Sequence, residues 1–210
     1  MLRAQAEQGI THVVATPHFY AQHDTPKNFL ARRDEAEARL REEMAKHSDL
    51  PTLSIGAEVY FFRGMSDSDI LSQLTIDKKE CILVEMIGSP WEEYAYRELE
   101  GIQVKQGLTP IIAHVDRYIG PFRQHRIPER LSELPVLVQA NSSFFQQRST
   151  RRLAMRLLQQ GYVHLLGSDC HNLTSRKPDL QAAVMLIRDQ LGENVLADIC
   201  RNEQMVFAGK

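Results

Sequence analysis

The sequence predicts an α/β fold built on a parallel sheet that curls toward a β/α barrel. Six short apolar runs alternate with helical patterns along the 210 residues, a rhythm that implies parallel strands joined by right-handed crossovers. Five of the six runs place a His, Asp or Glu at the same point, one or two residues past the strand. In a barrel those positions share the C-terminal face, whereas an open doubly wound sheet strings them along an edge and gathers only those near the switch point. Six runs are one or two short of the seven or eight strands a full barrel needs.

The elements follow in order. Residues 1–8 read as the back half of a helix closed by Gly9, a residue favoured just past a helix end. No N-cap precedes them, so a segment upstream of Met1 is expected to be missing. Residues 11–16 form a β-branched strand ended by Pro17, with His18 at once behind it. Thr25 as N-cap and Pro26 at the first helical position open a long helix to about His47. Residues 52–57 form the next strand, followed by Glu58. Residues 61–80 read as irregular, with a short helix near Ile70-Leu71. A strand over 81–84 delivers Glu85, and Ser89-Pro90 opens a helix to about Gln106. A strand over 109–113 delivers His114, and the charged stretch 116–134 is partly helical. Residues 134–140 form a strand leading to Asn141-Ser142-Ser143, and a basic amphipathic helix covers 148–160. The apolar run 163–166 breaks at Gly167-Ser168 and presents Asp169, Cys170 and His171 in succession. Pro178 opens a final helical region, 178–203, broken near Gly192.

Composition narrows the function classes. The chain is 43% hydrophobic and 25% charged, enough for one domain over 1–210 with a sizeable core. A formal charge of -2 gives no general attraction to nucleic acid or anionic membranes. No apolar run approaches the ~20 residues that span a bilayer, and the first residues lack the apolar core of a signal peptide. Cys81, Cys170 and Cys200 form neither a paired framework nor a CxxC motif, so a reducing cytoplasm is the expected compartment.

The candidate metal ligands are His18, Glu58, Glu85, His114, Asp169 and His171. Oxygen and nitrogen donors of this kind suit Mn, Fe or Zn better than a thiolate-loving ion. Six exceed what one ion takes from protein, so two or three ions with bridging carboxylates fit better. Such a cluster deprotonates a bridging water and holds an anionic substrate, the equipment of phosphate ester hydrolysis. Arg117, three residues past His114, and Arg176, five past His171, are candidates to bind phosphoryl oxygens. His12 and His164 lie inside strands and read as core or lower-face residues. His23, His47 and His125 fall in polar loops or helix ends, His23 alone being near the site. Arg148, Arg151, Arg152 and Arg156 read as a solvated helix face.

ATPHF (15–19), GAEVY (56–60), LVEM (83–86), IIAHVDRY (111–118), QANSS (139–143) and GSDCHNLTSRKP (167–178) together resemble the bacterial tyrosine phosphatases of capsule and exopolysaccharide operons. These belong to the polymerase-and-histidinol-phosphatase (PHP) superfamily. The resemblance covers nearly the whole chain. It implies a distorted seven-stranded β/α (TIM-like) barrel, a trinuclear manganese-type centre, and dephosphorylation of a cognate tyrosine autokinase. It also implies that Glu58 bridges two ions, one shared with Glu85 and His114, that Asp169 completes the other, and that His171 joins His18 on the third. Arg117 and Arg176 fall on the family's phosphate-handling arginines. The family's opening strand with its His-x-His pair, and the Asp loop behind it, have no counterpart in the 210 residues.

Three rival readings accompany this one. Cys170 to Arg176 has the Cys-x5-Arg spacing of thiolate phosphatases, but the intervening His-Asn-Leu-Thr-Ser contains no Gly to let the backbone curl around phosphate. Histidinol phosphate or another small phosphoester is an alternative substrate. A truncated, catalytically impaired remnant that only binds its kinase is the non-enzyme alternative.

Overall fold

The computed structural model describes all residues except 89–90, 120–125 and 209–210. The chain opens with α1 (Leu2–Ala6), β1 (His12–Ala15) and β2 (His18–Phe19). After α2 (Pro26–Met44) come β3 (Thr52–Ile55), β4 (Glu58–Tyr60) and α3 (Leu71–Leu74), the last flanked by two 3₁₀ turns. Then follow β5 (Cys81–Glu85), α4 (Glu93–Gln106), β6 (Thr109–Ile112), α5 (Asp116–Ile119), α6 (Ile127–Ser132), β7 (Leu137–Asn141), α7 (Ser142–Gln146), α8 (Arg151–Gln159), β8 (Leu165–Gly167), α9 (Leu180–Leu191) and α10 (Glu193–Ala208).

Every strand pairing is parallel. Strands β2-β4-β5-β6-β7-β8 form a six-stranded sheet, and β1 and β3 form a two-stranded one. The two predicted strands at 11–16 and 52–57 are thus the lower halves of longer, interrupted ones. Pro17 has no N–H to donate and marks the first break, but its carbonyl accepts from Glu58 N–H at 3.1 Å, and Ala15 O accepts from Gly56 N–H at 3.0 Å. The backbone pairing therefore carries across the interruption.

The expected barrel closure is not made among the described residues, since no ladder joins β8 to β1 or β2. The sheet nevertheless curls. In a flat six-stranded sheet the outer strands lie five spacings, roughly 24 Å, apart, yet the rings of His18 in β2 and His171 beyond β8 have centroids 6.1 Å apart.

Alternation along the strands makes two cores. Residues facing the helices join one large cluster, in which Phe19 packs on Phe29 of α2 and to which Val84 and Ile112 of the sheet and Leu99 and Ile102 of α4 also belong. The opposite face holds a second cluster of Cys81, Ile111 and Leu165, with Val14, Leu83 and Leu137 beside it. Val206 and Phe207 from the end of α10 complete that cluster. No described helix is long and apolar enough to cross a membrane.

The helices match their signals. Thr25 Oγ1 accepts from Asn28 N–H and caps α2, with Pro26 at the first turn. The final helical region divides at Gly192, whose φ of +86° suits glycine. Ser89-Pro90, the expected start of the next helix, lies outside the described residues, and α4 begins at Glu93.

Two outcomes follow from this packing. Gly101 lies inside α4, where Ala normally stabilises by about 1 kcal/mol, but a Cβ there would sit 2.8 Å from Ser66 Cβ. Gly101→Ala is therefore expected to destabilise by about 1–3 kcal/mol, measured by urea unfolding. Burial raises the Glu203 carboxyl above its ordinary 4.5. The folded state thus holds that proton more tightly than the unfolded chain. The resulting stability is present at acid pH and lost as pH rises through the raised value. Glu203→Gln should raise the melting temperature at pH 7 and lose that advantage toward pH 4.

Candidate metal centre

The site is assembled where the strands end. The period-2 alternation sends Phe19 and Val59 into the helix-side core, 1% and 0% exposed, and so turns His18 and Glu58 to the opposite face. The two are level, since His18 pairs with Glu58 across β2 and β4. Glu85 is the last residue of β5. His114 and Asp169 each lie two residues beyond β6 and β8, and both take positive φ, +34° and +48°. Such conformations cost a non-glycine residue on the order of 1–3 kcal/mol and persist only where the surroundings fix them. For His114 the fixing is visible: its N–H donates to Gln139 Oε1 at 2.6 Å, and Val115 N–H donates to Gln139 O at 2.9 Å.

The six candidate ligands come together. His114 Nε2 lies 2.8 Å from Glu58 Oε1 and 3.7 Å from Glu85 Oε1. His18 Nδ1 lies 3.5 Å from Glu85 Oε2 and 3.8 Å from Glu58 Oε1. On the far side His171 Nδ1 is 3.6 Å from Asp169 Oδ1. His18, Glu58 and Glu85 each offer a donor atom within 4.8 Å of the others. Asp169 is tied to them by Arg117, which donates to Glu85 Oε1 at 3.3 Å and to Asp169 Oδ2 at 2.5 Å. Arg176 lies against the same Asp169 oxygen at 2.5 Å. Both arginines, expected on phosphate, thus pair here with carboxylates, and both keep about two-fifths of the side chain exposed (40% and 41%).

Several contributors are not among the predicted site residues. Tyr118 accepts from Met86 N–H at 2.9 Å and meets His114 Nδ1 at 3.4 Å. Burial first, then the Glu85 and Glu58 charges, push its phenol far up, so it holds His114 as a neutral group. Gln139 Nε2 donates to Asn141 Oδ1 at 3.3 Å, and Asn141 N–H donates to Asp116 Oδ1 at 2.9 Å. Asp116 is itself raised by burial. In the sequence these residues show only as members of the IIAHVDRY and QANSS stretches, with Asp116 two residues past His114.

The thiolate reading loses its geometry. Cys170 Sγ faces Gln5 Nε2 at 3.5 Å, while Arg176 turns to Asp169. The N–H groups of His171 and Asn172 donate to Arg176 O, and those of Thr174 and Arg176 donate to Asn172 Oδ1, leaving them occupied within the loop. His12 and His164 are satisfied within the strands: His12 Nε2 meets Ser54 Oγ at 2.6 Å and His164 Nδ1 accepts from Val138 N–H at 3.0 Å. His23 lies tilted against Tyr20 with ring centroids 6.4 Å apart, His47 lies against Glu43, and His125 is outside the described residues.

A family model for capsular polysaccharide synthesis proteins, CpsB/CapC, matches residues 1–208. The chain belongs to the CpsB/CapC family. Among its relatives is the tyrosine-protein phosphatase YwqE of Bacillus subtilis, 25% identical over 99% of this chain and 82% of the relative. The tyrosine-protein phosphatase CpsB of Streptococcus pneumoniae is 27% identical over 91% of this chain and 82% of its own length. The fold matches, with a TM-score of 0.86 and 22% identity, a chain from crystal structures of those two proteins. The match covers 100% of this chain and 86% of that one, and those proteins are described there as unique metal-dependent tyrosine phosphatases.

In this CpsB/CapC chain the donor set fits a divalent ion. His18 Nδ1 and Glu85 Oε2 are buried side-chain atoms without a hydrogen-bond partner among the described residues. Ligands about 2.1 Å from a shared ion lie roughly 3–3.5 Å from one another, and these two stand 3.5 Å apart. A buried polar pair left unbonded costs several kcal/mol unless something else satisfies it.

The Gln139 support is testable at Gly167, where an added Cβ would fall 2.2 Å from Gln139 Nε2. Gly167→Ala must displace that amide and strand the buried N–H of His114. We expect a loss of about 1–3 kcal/mol of stability, read by thermal or urea unfolding, with Gly167→Ser no better.

Proposed function

We propose that the chain, residues 1–210 acting as one catalytic domain, is a metal-dependent protein-tyrosine phosphatase of capsule or exopolysaccharide regulation. The observation that carries this reading is the unbonded buried pair, His18 Nδ1 and Glu85 Oε2, at the centre of a carboxylate and imidazole cluster. Membership in a family whose relatives are named tyrosine-protein phosphatases supplies the substrate class. His18, Glu58, Glu85, His114, Asp169 and His171 are the side chains that would hold the ions, two or three per site, with manganese the preferred metal. Bound divalent ions supply Lewis-acid charge and make water nucleophilic near neutral pH.

The chain's own groups do the rest. Arg117 and Arg176 present guanidinium groups that are half open to solvent and already held at Asp169. A phosphoryl dianion offers them a stronger bidentate partner than a shared carboxylate oxygen, so they would turn from Asp169 to grip the substrate's phosphate oxygens. Tyr118 and Gln139 fix His114 from two sides and keep its ring from following the substrate. The architecture we assign to the curled sheet is the distorted, TIM-like barrel type of the PHP superfamily. A cognate tyrosine autokinase in the cytoplasm is the proposed protein substrate.

Chelation is expected to abolish hydrolysis of p-nitrophenyl phosphate and of a phosphotyrosine peptide, and Mn to restore both. Asp169→Ala and His114→Ala should lower kcat/KM about a hundredfold or more, whereas Cys170→Ser should keep most activity. A Cys170→Ser protein that is dead, with a wild type indifferent to chelator, would replace this reading with a thiolate mechanism.

A further inference from the structure

The alternation that turns His18 and Glu58 to the site carries two more side chains to the same face. Tyr20 lies two residues past His18 and Tyr60 two past Glu58. The β2–β4 register pairs His18 with Glu58 and Phe19 with Val59, so Tyr20 and Tyr60 come next. Tyr60 also pairs with Glu85 across β4 and β5. The tyrosines therefore stand one step beyond the first two carboxylate and imidazole groups, level with the third, toward the ends of the strands.

Their contacts agree with that placement. Tyr20 stacks on the His18 ring at 5.5 Å with planes 22° apart, and its ring lies 5.5 Å from that of Tyr60. Neither tyrosine belongs to the apolar cores, and both are only partly buried. Phe19, between His18 and Tyr20, shows the contrast: it is 1% exposed and packs against Phe29 on the helix side.

Two half-open rings at the rim of an anion-handling site are suited to an aromatic ligand, since aromatic pairs gain most in offset or tilted arrangements 4.5–7 Å apart. We propose that Tyr20 and Tyr60 form an aryl-binding subsite. The ring of a phosphotyrosyl side chain packs against them while its phosphate faces His18, Glu58 and Glu85. The proposal rests on the phosphatase reading and deepens it: these two residues select an aryl phosphomonoester over an alkyl one. A phosphoseryl group, with its short aliphatic stem, has no face to offer them.

The test uses binding as well as turnover. Phenylphosphonate and methylphosphonate, which carry the same headgroup and cannot be hydrolysed, are titrated calorimetrically into the Mn-supplied protein. Hydrolysis is compared for phosphotyrosine and phosphoserine peptides of one sequence. Wild type should prefer the aryl ligand about tenfold. Tyr20→Leu and Tyr60→Leu should each erase most of that preference, while Tyr20→Phe and Tyr60→Phe keep it. Tyr20→Gln, at the half-exposed position just past β2, carries the test if Tyr60→Leu fails to fold. Wild-type preference surviving in folded Leu and Gln variants, its loss in the Phe variants, or its absence in wild type would each overturn the subsite. Aryl preference that depends on the two rings, in a protein that hydrolyses neither peptide, would uphold the subsite and refute the phosphatase reading. Hydrolysis whose peptide preference ignores the Leu and Gln substitutions would do the reverse.

Discussion

The structure is organised around the placing of three carboxylates, Glu58, Glu85 and Asp169, in one pocket with little water to screen them. Their side chains are 8%, 15% and 14% exposed, and Glu58 and Glu85 bring oxygens within 4.8 Å. Two unit charges about 4 Å apart repel by about 4 kcal/mol at an effective dielectric of 20. Positive charge or donated hydrogen bonds must therefore be delivered to the same point. Arg117 bridges two of the three, Arg176 meets Asp169, and His114 meets Glu58. Arg176 follows Asp169 closely in the chain, but the other partners are distant: Arg117 and Asp169 are 52 residues apart, His114 and Glu58 are 56. Only parallel strands that all end on one face bring them together, and only a curled sheet brings the first strand to the last. An added divalent ion answers the same electrostatic demand more completely, because His18 Nδ1 and Glu85 Oε2 have no hydrogen-bond partner among the described residues.

Much of this was legible because chemistry interrupts pattern. A His or Glu directly behind a β-branched run has no packing role to explain it, and the recurrence of that event along the chain located the six candidate ligands and the shared face. What stayed hidden is what resembles ordinary packing. Tyr118 reads as one more core aromatic and Gln139 as a polar position on an amphipathic strand, yet together they hold His114 at a positive φ. Tyr20 and Tyr60 share the period of His18 and Glu58, but an aromatic in a strand is so common that the spacing alone carries no weight. The arginines were legible by position but their carboxylate partners were not, since a sequence shows which side chains are cationic and not which carboxylate will hold them. Strand continuity misled in the other direction. The sequence ends the run at 11–16 on Pro17 and the run at 52–57 before Glu58, while the backbone bonds of Gly56 and Glu58 carry the pairing on past those points.

The two ends of the same sheet face explain why some histidines matter to chemistry and others to the fold. At the lower end, Val14, Leu83, Ile111, Leu137 and Leu165 meet Val206 and Phe207 of α10 in an apolar plug. Histidines bordering that plug are held by the fold: His12 stacks on Phe207 and bonds Ser54, and burial favours the neutral ring of His164, which accepts from Val138 N–H. The plug places apolar side chains on the same face of the sheet below the carboxylates, and a low-dielectric surrounding strengthens charge interactions beside it. At the upper end the imidazoles meet carboxylates across the sheet, and His18 keeps a buried nitrogen free. Residue type is the same at both ends. The difference lies in whether the surrounding protein satisfies the ring, and an unsatisfied imidazole beside unsatisfied carboxylate oxygen is the arrangement that a fold retains for a ligand.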